Sequence, residues 1–182
     1  MKSRYYRSWH LARNEFEFKT TEFEWAMIRF HEAFARFVTT TGTVTMGGDI
    51  KYAEQLILHV IRMQDRPKNS ATIARLINRD DIPNIQYSLR KLESAGLVTK
   101  SRDEKSKQFN YAVTELGTRV TDEYHEIKGE ILIERLKQIQ NIEGRLEDLA
   151  QLLSILTGVY EESSRDSATF TPMSEADGEA ST

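Results

Sequence analysis

Residues 70–98 decide the fold of this chain, and their sequence is SATIARLINRDDIPNIQYSLRKLESAGLV. Apolar residues recur there at helical spacing on both sides of a short interruption at 79–82. Pro83 suits the first position of the second helix, because its missing N–H would have no partner at a helix start. Gly96 is a typical helix end. Two short helices joined by a tight turn predict a helix-turn-helix.

A strand signal follows this motif directly. Residues 97–99 precede a polar and charged run at 101–108, and apolar residues then alternate at Phe109, Tyr111 and Val113. This pattern predicts a two-stranded ribbon with a long charged tip. Together with the helix-turn-helix, the ribbon predicts a winged helix.

An amphipathic helix is expected ahead of the motif. Thr21 and Glu24 have the spacing of a capping box, which predicts that the helix begins there and runs to about Thr40. Its apolar residues are spaced three and four apart: Phe23, Met27, Phe30, Phe34 and Phe37. A loop rich in threonine and glycine follows, and Asp49 is expected to cap the next helix.

The chain beyond the wing has a long apolar seam. No proline occurs from Thr114 to Tyr160, and apolar residues recur every three or four positions, which is typical of a coiled-coil-like helix. Such a face packs on its own domain or on a second chain, and its length favours a second chain. Gly129 and Gly144 weaken the helix, so a break near one of them is expected. Residues 163–182 lack periodicity and are expected to be a disordered acidic tail.

Composition narrows the function classes. The 182 residues contain no cysteine, and the four histidines are far apart, so neither thiolate chemistry nor a histidine metal site is expected. The net charge is −3, but residues 66–107 carry ten basic and five acidic side chains, a local charge of +5. A basic segment of this kind occurs in nucleic-acid-binding proteins and also as an ordinary solvated surface.

Several motifs are absent from the sequence. It has no glycine-rich phosphate loop, no Gly-x-Ser-x-Gly elbow and no His-Glu-x-x-His, and therefore neither an enzyme nor a cofactor is expected. No stretch approaches the roughly 18 consecutive apolar residues of a membrane span. The first residues lead into no signal-peptide core, so a cytoplasmic location is expected.

The order of the predicted elements resembles that of the multiple-antibiotic-resistance regulator (MarR) family of bacterial transcription factors. The resemblance covers about Phe23 to Tyr160. Its most specific parts are residues 89–98 (LRKLESAGLV), similar to the family's recognition-helix end and first wing strand, and residues 113–117 (VTELG), similar to the segment that closes the wing. The resemblance implies a mainly α fold with a small β-wing: a winged helix-turn-helix with N- and C-terminal dimerisation helices.

The resemblance also implies a domain order and a function. Residues 1–48 would form an N-terminal segment and dimerisation helix, 49–116 the DNA-binding winged helix-turn-helix, and 117–162 the C-terminal dimerisation helices, ahead of the tail at 163–182. The implied function is a sequence-specific transcriptional regulator, a repressor that binds a pseudo-palindromic operator in double-stranded DNA as a homodimer. The alternative is a winged-helix module for protein interaction, or an architectural one without ligand sensing.

DNA contacts are expected from the recognition helix and the wing. Base edges would be met by polar residues in the first turns of the helix: Asn84, Gln86 and Tyr87. Phosphates would be met by side chains that anchor without reading sequence: Ser70, which would also cap its own helix, Arg90 and Lys91. The expected contacts of the wing to the DNA backbone or minor groove are Arg102, Lys105 and Lys107. Each of these side chains is otherwise an ordinary solvated residue.

The chain departs from the family pattern at two places. Lys105 and Lys107 stand where the family's wing usually has Asp-x-Arg, and Arg90 stands where its recognition helix usually has an acid. The expected wing is therefore held less by internal ion pairing, and its DNA contacts are more purely electrostatic.

A small aromatic acid is the effector that the resemblance implies. It would be bound by aromatic and cationic side chains near the N terminus: Trp9, His10, Arg13, Trp25 and His31. Plain interface packing is the alternative role for these residues. His59 in the second helix is expected to be a core or boundary residue.

Overall fold

The computed structural model describes residues 9–102 and 107–170, which divide into two compact units after Glu130. The helices are α1 (Glu15–Met46), α2 (Tyr52–Arg62), α3 (Ser70–Leu76), α4 (Ile82–Ser94), α5 (Glu115–Lys128), α6 (Glu134–Leu136) and α7 (Ile142–Ser167). The strands are β1 (Lys68–Asn69), β2 (Val98–Arg102) and β3 (Phe109–Val113). Within the described ranges no helix is long and apolar enough to cross a membrane.

The helix-turn-helix lies where the sequence predicts it. Asn69 and Asp81 cap the N termini of α3 and α4 through their side-chain oxygens. The two helices pack on α2 around side chains that are at most 1% exposed: Ile57, Leu58, Ile61, Ile73, Ile85, Leu89 and Leu92. Burying a side chain of this size stabilises the fold by about 1.5–3 kcal/mol. This core therefore fixes α4 against the body of the first unit.

The wing belongs to a three-stranded antiparallel sheet in the order β1-β3-β2. β2 and β3 form the predicted ribbon, with Arg102 opposite Phe109. β1, which pairs Lys68 with Tyr111, was not expected, because a strand of two residues is too short to show alternation. The predicted fold class, mainly helical with a small β-wing, is confirmed.

Lys68, on β1, is buried, and its side chain closes the end of α2. Its ammonium donates hydrogen bonds to the carbonyl oxygens of Ile61 at 3.0 Å, Arg66 at 3.0 Å and Met63. A helix end leaves such carbonyls without partners of their own. Burial lowers the pKa of Lys68, and the charge of Arg66 lowers it further. One base of the segment 66–107 is thus used inside the protein and not on its surface.

The first helix is longer than the sequence indicates at both ends. It begins after Asn14, whose side chain accepts a hydrogen bond from the backbone N of Glu17 at 3.0 Å. Thr21, the expected cap, is a buried residue inside the helix, so that assignment is wrong. The helix also continues through the threonine-rich segment to Met46, where hydroxyls such as that of Thr43 donate to carbonyls one turn earlier.

The start of α2 also differs from the expectation. The helix begins after Lys51, whose backbone N donates to the carboxylate of Glu54 at 3.0 Å, and Asp49 is not its cap. The preceding residues are held by Gln55, which is fully buried and donates to the carbonyl of Ile50 at 2.8 Å. The cap thus lies two residues later than the sequence suggests.

The C-terminal part contains two breaks. A π-helical turn at Gly129–Ile133 confirms the break expected near Gly129, and a second break precedes α7 at Asn141, whose φ is +52°. α5, which is expected to be one of the dimerisation helices, packs on α1 and α2 in the first unit. The last helix continues to Ser167, where serine hydroxyls donate to carbonyls one turn earlier. The prediction that disorder begins at residue 163 is therefore wrong for residues 163–167.

Candidate nucleic-acid interface

The outward face of α4 is polar and cationic. Its inner face consists of the buried residues Ile85, Ser88, Leu89 and Leu92. At 3.6 residues per turn, Gln86, Tyr87 and Arg90 lie away from that face, and all three are exposed. Within the described ranges, neither the Gln86 amide nor the Arg90 guanidinium has a hydrogen-bond or ion-pair partner. Both side chains are therefore available to an external ligand.

Asn84 is exposed at the start of α4, but its amide is already engaged. Its backbone N donates to Oδ1 of Asp81 at 3.2 Å, and its side-chain Nδ2 donates to Oδ2 of the same carboxylate. These bonds from Asn84, followed by the guanidinium of Arg79 at 3.2 Å, hold the pKa of Asp81 below its ordinary value. Reading adenine requires an amide donor and acceptor together, so this geometry weakens the expected role of Asn84.

Lys91 lies on a flank of α4 beside α2. Its Nζ is 3.5 Å from Oε1 of the buried Glu54, and it donates to the carbonyl oxygen of Asp49 at 3.3 Å. Ser88, one turn earlier on α4, donates its hydroxyl to the same Oε1 at 3.2 Å. We refer to Glu54, Ser88 and Lys91 as the Glu54 cluster. The cluster joins α2 to α4.

The wing presents cations on and between its two long strands. Lys100 on β2 has its Nζ 3.9 Å from the centre of the Phe109 ring on β3, which is within cation–π range. Arg102 and Lys107 are both exposed, and Lys107 has a φ of +58°, in the left-handed region. Lys105, also expected to contact DNA, lies outside the described residues.

Asn69 is the cap of α3, so the capping role expected for Ser70 is wrong. Oδ1 of Asn69 accepts from the backbone N of Thr72 at 2.8 Å, while its Nδ2 donates to Oε1 of Gln108 at 2.8 Å. One amide therefore connects the start of α3 to the base of the wing. Ser70 is half-buried at the first helical position. Sequence alone does not separate the two candidates, because asparagine and serine are equally good caps.

The residues expected to bind an aromatic acid lie ahead of α1 and along it. Trp9 and Trp25 pack together with ring centres 5.7 Å apart, and Nε1 of Trp9 is buried without a partner among the described residues. His31 lies further along α1 and packs edge-on against Tyr52 at 6.1 Å. The two remaining residues are exposed: His10 and Arg13. Two of the five are thus in mutual contact, and that contact is ring packing.

Comparison with known proteins finds a family match in the middle of the chain. Residues 50–117 match the family model described as a winged helix DNA-binding domain. This range contains α2 to β3 and the capping turn of α5. No curated protein matches the sequence significantly.

Solved structures match over most of the chain. The transcriptional regulator BldR from Sulfolobus solfataricus is 22% identical in sequence and has a TM-score of 0.63. The match covers 78% of this chain and 98% of the BldR chain. A MarR-family regulator from Rhodococcus sp. RHA1 is 17% identical, with 78% and 96% covered and a TM-score of 0.62. A mutant MarR from E. coli complexed with operator DNA is 17% identical, with 78% and 95% covered and a TM-score of 0.60. This chain has the MarR-type winged helix fold.

In this fold, α4 is the second helix of the helix-turn-helix and β2 with β3 forms the wing, as the sequence predicts. Further exposed bases of the segment 66–107 were not among the expected contacts, among them Arg75 on α3 and Lys100 on β2. Both belong to the basic segment 66–107, which is the signal that could have found them. Their exposure could not be read from that signal, because Lys68 in the same segment is buried.

Proposed function

We propose that this chain is a sequence-specific transcriptional regulator that binds double-stranded DNA through α4 and the wing. The observation that carries the proposal is the outward face of α4: Gln86, Tyr87 and Arg90 are exposed there, and neither Gln86 nor Arg90 has a hydrogen-bond or ion-pair partner within the described ranges. A helix of this kind fits the major groove of B-DNA. The match of residues 50–117 to a DNA-binding domain model and the likeness to a structure containing operator DNA support the proposal.

The proposed DNA contacts are of two kinds, those that read bases and those that act through charge. The Gln86 amide can donate to and accept from an adenine edge, whereas Arg90 can bind a phosphate or a guanine. The wing cations contact the sugar-phosphate backbone or the minor groove. The remaining contacts in the proposal are supporting ones: Ser70 and Asn84 near the helix starts, Tyr87 on α4, and Arg102, Lys105 and Lys107 on the wing.

The regulator acts, in this proposal, as a homodimeric repressor on a pseudo-palindromic operator. Two related half-sites require two recognition helices, and one described chain supplies one α4. The large apolar side chains left exposed on α1 and α7, such as Phe30 at 62% and Ile155 at 66%, support a second copy as the partner. Repression follows from the resemblance of the sequence to the MarR family.

Release by an aromatic acid is the part of the proposal with the least structural support, because Trp9 and Trp25 are occupied with each other. The exposed guanidinium of Arg13 remains able to pair with a carboxylate. A panel of aromatic carboxylic acids added to the protein–DNA complex tests this part. If none releases the duplex at millimolar concentration, the effector is removed from the proposal and DNA binding stands.

Selection of bound duplexes from a random pool tests DNA binding and gives the half-site spacing. Two variants then separate base reading from charge. Gln86→Ala is expected to cost about 1–3 kcal/mol on the selected operator, to relax selectivity at one base position and to leave the salt dependence unchanged. Lys107→Ala is expected to weaken operator and scrambled duplex equally, and to reduce the slope of log affinity against log salt by about one unit.

Three outcomes contradict the proposal in different ways. A wild-type protein that binds no duplex supports the protein-interaction alternative. Equal binding to operator and scrambled duplex supports an architectural role. If Gln86→Ala weakens all duplexes equally, α4 is not the base-reading element.

A further inference from the structure

We infer that the Glu54 cluster fixes the rotation of α4 about its own axis, and that Lys91 serves DNA recognition by neutralising Glu54 and not by contacting phosphate. This inference rests on the proposed function, because it concerns how α4 presents its base-reading side chains. It departs from the sequence-based expectation, in which Lys91 anchors a phosphate.

Glu54 contacts α4 at two points one turn apart. Its Oε1 accepts from the hydroxyl of Ser88 at 3.2 Å and lies 3.5 Å from Nζ of Lys91. Because Ser88 and Lys91 are three residues apart, they project from the same flank of the helix. The other oxygen, Oε2, accepts from the backbone N of Lys51 at 3.0 Å, which ties the carboxylate to the start of α2. Rotation of α4 would move both of its donors away from this one acceptor.

The rest of the inner face of α4 orients the helix by shape alone. Ile85, Leu89 and Leu92 are fully buried, so their close packing limits the rotation, but the hydrophobic effect that buries them has no preferred direction. Hydrogen bonds weaken steeply with distance and angle. Glu54 is 4% exposed, so its bonds act in a low-dielectric interior where they are strong and where an unpaired member is costly. The cluster therefore selects one rotation among those that the apolar core permits.

The position of Lys91 follows from the same buried charge. A carboxylate removed from water is stable only when it is paired and hydrogen-bonded. Lys91 supplies a cation to Glu54, and its ammonium donates a hydrogen bond to the carbonyl of Asp49 at 3.3 Å. The side chain is 28% exposed, so it is covered on the side where it meets α2. If the ammonium of Lys91 moved to a phosphate, the buried carboxylate of Glu54 would lose the cation that pairs with it.

A small rotation is sufficient to disturb base reading. A side-chain tip about 5 Å from the helix axis moves by nearly 2 Å when the helix turns by about 20°. A hydrogen bond between Gln86 and a base edge does not tolerate such a displacement. Loss of the cluster is therefore expected to lower the preference for the operator more than the affinity for DNA in general.

The test compares two Lys→Met variants of the full chain, Lys91→Met and Lys107→Met, on the selected operator and on a scrambled duplex over a salt series. Lys91→Met is expected to keep the wild-type salt slope on both duplexes and to lose about tenfold in operator preference. Lys107→Met is expected to lose about one unit of slope on both duplexes and to keep the preference. A Lys91→Met slope that falls like that of Lys107→Met overturns the inference in favour of a phosphate anchor.

A second set of variants accounts for the loss of stability that is expected when the Glu54 carboxylate has no paired cation. Ser88→Ala removes one hydrogen bond without changing a charge, and it is expected to lower operator preference at the wild-type salt slope. Glu54→Gln is expected to recover part of both the melting temperature and the operator preference when added to Lys91→Met. A melting temperature that falls in Ser88→Ala and Lys91→Met while operator preference stays at the wild-type value reveals a structural role only and overturns the inference.

The thermal double-mutant cycle of Glu54→Gln and Lys91→Met needs no DNA, so it separates the two proposals. Non-additive melting temperatures confirm that the two side chains are coupled, and additive ones overturn the inference. If the wild type prefers no duplex while the cycle shows coupling, the proposed function fails and the link between α2 and α4 stands.

Discussion

Gly117 stands at the junction of the wing and α5, where a side chain cannot be accommodated. Its backbone N donates to the hydroxyl oxygen of Thr114 at 3.0 Å, and a β-carbon on residue 117 would overlap the carbonyl oxygen of Leu97. Backbone atoms yield less readily than the end of a side chain. Gly117→Ala is therefore expected to lower the free energy of unfolding by about 1–3 kcal/mol, measured by urea denaturation.

The control for this substitution is Gly158→Ala in α7, where a β-carbon meets nothing within 4 Å. Alanine is the better helix former, so this variant is expected to stabilise its helix by up to about 1 kcal/mol. If both variants destabilise the protein equally, the close approach of Gly117 to Leu97 does not control stability.

We expect His59 to make the stability of the first unit depend on pH. Its ring centre is 4.4 Å from that of Tyr124, and its Nε2 is buried without a hydrogen-bond partner within the described ranges. Burial, followed by the charge of Lys128, lowers the pKa of His59. In the unfolded chain the imidazole binds its proton with an ordinary pKa of about 6.5. The unfolded state then binds more protons, so the free energy of unfolding is expected to fall as the pH drops below about 6.5.

Thermal melts between pH 7.5 and 5 check this expectation. His59→Phe keeps a ring against Tyr124 and removes the titrating group, so it is expected to lose less stability than the wild type as the pH falls. His125 on α5 is exposed, and His125→Gln is expected to follow the wild type. A His59→Phe variant with the wild-type pH dependence assigns the effect to another group.

At the scale of elements, the wing is held to the helix-turn-helix by the side chain of Asn69. Its Nδ2 donates to Gln108, 39 residues away, while its Oδ1 caps α3. Asn69→Asp keeps the capping oxygen and removes the donor. This variant is expected to keep a melting temperature within about one or two degrees of the wild-type value. It is also expected to increase tryptic cleavage at the basic residues of the wing.

The matched control is Gln108→Glu, which adds the same negative charge at the same place and retains the acceptor for Asn69. The two variants therefore lose similar electrostatic affinity for DNA, and any additional loss in Asn69→Asp belongs to the hydrogen bond. Equal cleavage of the wing in both variants shows that the bond does not hold it.

At the scale of the whole molecule, the apolar surface of α7 requires a partner. Leu146, Leu149 and Tyr160 are 43–46% exposed and belong to the predicted seam. A second row, formed by Leu152, Ile155 and Val159, is 49–66% exposed. Together the rows are wider than a two-stranded coiled-coil seam, which uses two positions in seven. We expect α7 to pack on more than one helix of a homodimer.

Sedimentation equilibrium at micromolar concentration is expected to give twice the mass of the chain. Leu149→Glu places a charge within the apolar face and is expected to shift the protein toward the monomer. Ser154→Glu introduces the same charge on the exposed side of α7 opposite both apolar rows, and is expected to remain dimeric. A monomeric wild type, or equal behaviour of the two variants, contradicts dimerisation through this face.

The sequence by itself determined the helix-turn-helix and the ribbon, and it limited the expected helix break to Gly129 or Gly144, of which the structure has the first. Their signals are local, because helical and strand periodicity, Pro83 at a helix start and Gly96 at a helix end act within a few residues. Local signals gave wrong assignments where two neighbouring residues suit the same role, or where one segment suits two structures. Asn69 and Ser70 are equally good caps, and the threonines before Met46 suit a loop until their hydroxyls bond back to the helix.

Only the tertiary structure decided which basic and polar residues face outward. Lys68, Lys91 and Arg90 are indistinguishable in a count of charges, yet Lys68 closes α2, Lys91 pairs with Glu54 and Arg90 is exposed. The physical reason is that burial and pairing depend on residues far away in the chain, such as the partners of Asn69 and Lys91 that lie 39 and 42 residues distant. Helical periodicity fixes the face on which a side chain lies, whereas the packing of the fold determines what that face meets.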